Sequence, residues 1–380
     1  MNTLEILERL VAFETVPEAS NLDLLAYIEE IVAPLQPRLR RFPSPCGTKA
    51  NLFLSLGPDG PGGLILSGHT DVVSAANQAW SGNPFALRRI GDRLLGRGAT
   101  DMKGFLACCL AALPDAVAGG LARPLHLALS YDEEVGCTGV VSMTDWLRCS
   151  GLAPALAVIG EPSRLGLVNA HKGGVVGRVE VTGVPGHSSQ PDRGVNAVMV
   201  AGAALGAFDA LETAMRAGPQ NDGFDPPWST VQVNMIAGGE ARNILAGHCG
   251  FAWEMRLLPG IDPDETLAAL QADIRARTAT RLNPAHPTAG LRFLTEMRIP
   301  ALRPESTEIE APLLALLGQD RAKAVPFGTE AGQFQAAGAP AVVMGPGDIA
   351  QAHQPDEYID AAQLAACDAL LPRLIAMHCH

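Results

Sequence analysis

At 380 residues the chain is long enough for two or three domains and a sizeable core. A hydrophobic content of 47% with 18% charged residues excludes a disordered chain, and a net charge of -12 without a basic stripe argues against a nucleic-acid partner. The 40 Gly and 29 Pro predict many turns between short elements.

The N-terminal MNTLEILERLVAF has no basic leader and reads as an amphipathic helix over 3–13, not as a signal peptide. A second helix is predicted from Leu22 to Val32, ended by Pro34 and Pro37. Asn51 to Leu56 reads as a strand. Leu64, Ile65 and Leu66, after Pro61-Gly62-Gly63, read as a buried strand ending near Gly68. The 80–97 stretch holds turns and a short strand. Met102 to Ala118 is a Leu- and Ala-rich helix, and Leu125–Ser130 and Ala155–Ile159 are further apolar strands. Strands alternating with helices predict an α/β domain with a mostly parallel sheet, in which ligands gather beyond the C-terminal strand ends.

After Gly173-Gly174, read as an entry hinge, the pattern changes. A strand at 175–182, a helix at about 194–216, strands at 231–236 and 251–258, a helix at 264–277 capped by Asp262 or Asp264, and a strand at 291–299 form a βαββαβ order. This predicts an inserted, ferredoxin-like α+β domain over 174–299, within a discontinuous domain of 1–173 and 300–380. The turn with Pro300 and Pro304 marks the exit. A helix at 308–317, a strand at 341–344 and a helix at 361–377 complete the chain. Val195–Leu211 is apolar but rich in small residues, too short for a membrane span, and is expected to pack on a sheet. Eight cysteines form no C-x-x-C pair, which disfavours a thiolate zinc site and fits a reducing, cytoplasmic setting. The His378-Cys379-His380 tail receives no role.

His69 and Asp71 sit two apart at a strand end, so both face one way. His69 is a candidate metal ligand, with Asp71 holding its other ring nitrogen. Taken singly, Asp101 reads as a helix cap, Glu133-Glu134 as a solvated turn, Glu161 as a loop carboxylate and His353 as an exposed loop histidine. Together they are two imidazoles and several carboxylates at successive strand ends or helix entries, a donor set that suits zinc. It suffices for two ions sharing a bridging carboxylate, with a spare carboxylate for general base.

The segments SGHTDVV (67–73), GRGATDMKG (96–104), DEEVGCTG (132–139), GEP (160–162), GHSSQPDRGVNA (186–197), FGTEAGQFQAAG (327–338) and QAHQPDEYI (351–359) resemble the zinc aminoacylase and deacetylase metallopeptidases. Within that family they look most like the acetylornithine deacetylases, and the motifs follow the family's order along nearly the whole chain. Thr100 departs from the Cys often found at that place. The resemblance implies a di-zinc catalytic domain with an inserted lid and dimerisation domain, and cobalt or manganese as possible replacements for zinc. It implies that Asp101 bridges the ions, that His69 and Glu161 complete one site, and that Glu134 and His353 complete the other. Asp71 would orient His69, and Glu133 would be the general base. The Asp101–Met102 bond would be cis. His187 would support the oxyanion across a homodimer, while Arg256 and Asn243 would hold the substrate. The implied reaction is hydrolysis of N2-acetyl-ornithine to ornithine and acetate in arginine biosynthesis. The alternatives are a related small-molecule deacylase or peptidase: a succinyl-diaminopimelate desuccinylase, an aminoacylase or a carboxypeptidase.

Overall fold

The computed structural model describes residues 1–282 and 284–380. Its strands are β1 (Arg38–Pro43), β2 (Ala50–Leu56), β3 (Leu64–His69), β4 (Arg88–Ile90), β5 (Arg93–Leu95), β6 (Leu125–Ser130), β7 (Leu156–Pro162), β8 (Val168–His171), β9 (Gly173–Thr182), β10 (Thr230–Gly238), β11 (His248–Leu257), β12 (Gly290–Ile299), β13 (Lys323–Val325), β14 (Ala341–Gly345) and β15 (Tyr358–Asp360). The helices are α1 (Thr3–Val11), α2 (Leu22–Val32), α3 (Gly104–Ala118), α4 (Val141–Ser150), α5 (Ala197–Ala217), α6 (Pro263–Thr278), α7 (Thr307–Leu317), α8 (Ala331–Ala336) and α9 (Ala361–Cys379). The chain forms two compact units: residues 1–170, 302–324 and 329–380 in the first, and 171–301 with 325–328 in the second.

The first unit carries an eight-stranded sheet in the order β1-β2-β6-β3-β7-β14-β8-β13. Its four central strands, β6, β3, β7 and β14, run parallel. Strands β2, β3, β6, β7 and β14 are buried along their whole length. That explains their continuous apolar runs, because a sheet covered on both faces needs no alternation. Each buried Leu or Ile there contributes roughly 2 kcal/mol through the hydrophobic effect. Helix α3 packs tightly beside the site. Phe105 lies so close to Gly160 of β7 that a Cβ at 160 would fall 1.9 Å from its ring. Asp101–Met102 is cis, as the resemblance implies. A small antiparallel sheet, β15-β5-β4, completes the unit.

The second unit is one antiparallel sheet, β10-β11-β9-β12, with α5 and α6 between its strands in the chain. The βαββαβ order is therefore present. Gly173 and Gly174 are not a hinge loop; they open β9, where Gly174 pairs with Arg256 and Ile299. Glycine in this strand serves close approach instead: a Cβ at Gly177 would lie 2.1 Å from the Leu294 carbonyl. Asp262 caps α6, accepting from the amides of Asp264 and Glu265. Helix α5 has 21 residues, close to the expected span but starting three residues later, and by length and composition alone would suffice to cross a membrane. Its Phe208 packs edge-on against Phe251 and near Trp253, so one face covers the sheet.

Candidate metal centre

Strands β6, β3 and β7 are parallel neighbours, so their C-terminal ends lie about 5 Å apart. His69 is the last residue of β3, Glu161 lies at the end of β7, and Glu133 and Glu134 follow β6. Asp101 sits in the turn that enters α3, on extended backbone, and does not cap that helix, whose N-cap is Lys103. His353 comes from the loop between β14 and β15, with a left-handed φ of 62°. Sheet geometry thus brings residues remote in sequence to one rim.

The two oxygens of Asp101 face different histidines. Its Oδ1 lies 3.0 Å from His69 Nε2, and its Oδ2 lies 3.2 Å from His353 Nε2. His69 Nε2 is also 3.8 Å from Glu161 Oε1, and His353 Nε2 is 3.1 Å from Glu134 Oε2. Donor atoms of His69, Asp101 and Glu134 lie within 4.8 Å of one another, and so do those of His69, Glu133 and Glu161. Glu133 thus stands inside the cluster, half-buried, and accepts a bond from the Cys137 thiol at 3.3 Å. Asp71 differs from expectation in detail. The His69 Nδ1 bond goes to the Asp71 carbonyl at 2.9 Å, while the carboxylate is 3.7 Å away. The carboxylate instead accepts from the Glu134 amide at 3.0 Å, which fixes the turn carrying Glu134.

The electrostatics are those of a site short of positive charge. Burial, reinforced by repulsion from Asp101 and Glu133, pushes the Glu161 carboxyl well up. Burial does the same for Glu133, with Glu134, Glu330 and Asp101 adding to it. Hydrogen bonds to Asp101 and Glu134 raise His353 to about 10. Burial opposes charge on His69, yet Asp101, Glu161 and Glu133 carry it well above the ordinary range. The buried Oε1 of Glu134 and Oδ1 of Asp71 have no hydrogen-bond partner among the described residues. Nitrogen and oxygen donors facing inward, an acidic excess and orphaned carboxylate oxygens together fit a pair of divalent cations.

The second unit holds the other predicted residues. His187 is exposed, bridges to Ile244 across a short β-bridge, and accepts or donates at Nδ1 with Ser189 Oγ at 2.7 Å. The Ser188 amide donates to the Asn243 carbonyl at 3.0 Å, so the structure brings the His187 and Asn243 turns together. Arg256 lies near the other end of β11, half-buried, in an ion pair with Glu254 at 3.2 Å.

Four charged residues of the first unit escape the sequence reading. Glu330 is buried, held by Ser130 Oγ at 2.8 Å, and raised by burial to about 7. Lys103 is buried, donates to the Phe13 carbonyl at 2.7 Å, and is lowered by burial to about 7. Arg97 and Glu357 form a buried ion pair at 2.6 Å. The available signal is their place inside the quoted motifs.

The profile of peptidase family M20/M25/M40 matches residues 65–377. A protein of Myxococcus xanthus described as acetylornithine deacetylase is 37% identical over 383 residues, covering 98% of this chain and 96% of its own. One from Proteus mirabilis with the same description is 35% identical, covering 87% and 83%. Among solved structures, a metallo-carboxypeptidase of the M20 family from Sulfolobus solfataricus superposes with a TM-score of 0.75 at 15% identity, covering 99% and 98%. A dinuclear metal-binding peptidase of that family from Bacillus subtilis gives 0.65 at 14%, covering 99% and 97%. The chain belongs to peptidase family M20/M25/M40. It is a hydrolase of amide bonds.

Proposed function

We propose that this protein removes the acetyl group from N2-acetyl-ornithine, releasing ornithine and acetate for arginine biosynthesis. The observation that carries the hydrolytic reading is the split Asp101 carboxylate, one oxygen toward each histidine, with the extra carboxylate of Glu133 beside it. The choice of substrate is supported by the descriptions of the relatives.

Asp101 would hold both ions, His69 and Glu161 one of them, Glu134 and His353 the other, zinc being the metal that suits these donors. The chemistry such ions supply is polarisation of the amide carbonyl and a lowered pKa for water. Glu133 takes a proton from the attacking water and returns it to the amine nitrogen as the C–N bond breaks. The Asp71 carbonyl fixes His69 through Nδ1, leaving Nε2 for the metal. We assign His187 to the oxyanion and Asn243 and Arg256 to substrate recognition, with an arginine fork suited to a carboxylate. A homodimer through the second unit is supported by β10, an edge strand that exposes Met235 and Ile236. Eight free thiols agree with action in the cytoplasm.

The test is hydrolysis of N2-acetyl-ornithine beside succinyl-diaminopimelate and dipeptides, with and without chelator. We expect ornithine release that chelation abolishes and zinc restores. Turnover of a dipeptide or the succinyl substrate in preference to acetylornithine would overturn the substrate assignment. Full activity after the metal has been stripped would overturn the mechanism.

A further inference from the structure

Asp101 and His353 come from separate loops, and nothing in either loop alone fixes their spacing. His353 in particular is exposed, on a left-handed backbone that costs energy for a non-glycine residue. A ligand in that position needs support from outside its own loop.

Such support runs through three side chains. Glu357 Oε1 accepts from the Thr100 amide at 3.0 Å and the Asp101 amide at 3.2 Å. Its Oε2 accepts from Arg97 Nη1 at 2.6 Å. Arg97 Nη2 donates to Gln78 Oε1, and its guanidinium lies over the Trp80 ring, 5.0 Å from the centroid. Gln78 Nε2 then donates to the His353 carbonyl at 3.0 Å. The backbone of Asp101 is thus joined to that of His353 by an unbroken chain of hydrogen bonds. Arg97 and Glu357 are buried, so each charge depends on the other.

From this juxtaposition we propose that Glu357, Arg97 and Gln78 are positioning residues that set the separation of Asp101 and His353 for metal binding. This rests on the reading of those two residues as metal ligands. The arrangement is directional. Glu357 bonds directly to Asp101, which faces both histidines, whereas of the two ligands Gln78 bonds directly only to His353. Loss of Glu357 should therefore weaken both metal positions, and loss of Gln78 only one.

The experiment is competition of metal-free protein against a chromophoric zinc chelator, with cobalt absorption spectra as a second readout. For Gln78→Leu we expect one of two equivalents weakened about 10–100-fold, the usual cost of losing support behind a ligand, and the other within about threefold of wild type. For Glu357→Gln we expect both weakened. Glu357→Gln leaves Arg97 buried without its partner. Should that variant fail to fold, Gln78→Leu, which removes no charge and lies at a half-buried site, decides the matter. His353→Ala is the control and should lose one equivalent. Wild-type affinities in Gln78→Leu beside a lost equivalent in His353→Ala overturn the proposal and leave the metal reading standing. Two undiminished equivalents in His353→Ala overturn the reading itself.

Discussion

His69 and His126 occupy neighbouring parallel strands, β3 and β6, and both are buried. Their surroundings send them in opposite directions. Around His126 there is one hydroxyl, Ser55 Oγ at 2.8 Å from Nδ1, and the Phe53 ring at 5.0 Å; Nε2 has no partner among the described residues. Burial, with some help from Arg38, lowers it to about 4, and it stays neutral. His69 has the same burial but faces Asp101, Glu161 and Glu133, which overcome the desolvation cost. Burial by itself therefore says nothing about function. What separates the two is that the C-terminal rim collects carboxylates from three adjacent strands, while His126, near the opposite end of β6, has a hydroxyl and an arginine charge near it and no carboxylate that raises it.

The largest effect should come from breaking the His69 end. Glu133→Gln keeps the size of the side chain and removes its ability to take a proton. Turnover should fall about 10²–10⁴-fold while two equivalents of metal remain bound, as checked by a rate assay beside metal analysis. Activity within a few-fold of wild type would remove Glu133 as the base.

The contrast also explains what can be read from the sequence. Leu22–Val32 and Leu125–Ser130 are found where periodicity and apolar runs place them, and β3 runs one residue beyond the expected end at Gly68, to His69. Strand β1, with the sequence RLRRFP, escapes that reading, because an exposed edge strand carries arginines instead of alternating apolar residues. Helix α4 interleaves Ser, Thr, Asp and Arg with its apolar residues and shows no long apolar run, and the six residues of α8 are too few to show a period. At the candidate site, the approach of His69, Glu134 and Glu161 is legible because they end or follow neighbouring parallel strands, whereas Asp101 enters from a helix start and His353 from a loop. Glu330 and Glu357 are not, since a single glutamate looks the same in sequence whether it is solvated or buried. The hydrogen bond from His69 to the Asp71 carbonyl is equally hidden, because side-chain spacing carries no information about main-chain acceptors.

A smaller effect sharpens the other half of the comparison. The folded-state value of His126 is about 4, below the ordinary 6.5, so on acidification the unfolded chain takes the proton first. Stability is then fully present above pH ~6.5 and is lost as pH falls toward about 4. From pH ~7 to pH ~5 this one residue should cost about 2 kcal/mol. The measurement is the urea midpoint of wild type and His126→Asn at both pH values. Wild type should lose more than the variant by that amount. Equal losses would mean that His126 does not titrate as its surroundings dictate.

The smallest effect tests the hydroxyl. Ser55 Oγ is the one hydrogen-bond partner found for the His126 ring among the described residues, on the adjacent antiparallel strand β2. Ser55→Ala removes that partner and leaves a buried ring nitrogen unsatisfied, which costs about 1–2 kcal/mol. The pocket also gains the volume of a hydroxyl, too small to admit a water as a replacement. The urea midpoint at neutral pH should therefore fall, with an unchanged denaturant slope, because the surface exposed on unfolding is the same. Ser55 lies toward the far end of β2–β6 pairing from Tyr131 and the rim beyond it, paired in register with His126 itself. Turnover should accordingly stay within about twofold, the scatter of a rate assay and far below the effect at Glu133. A midpoint that does not move would show that the ring meets its hydrogen-bonding needs elsewhere, and a large drop in turnover would show that the two ends of β6 are not independent.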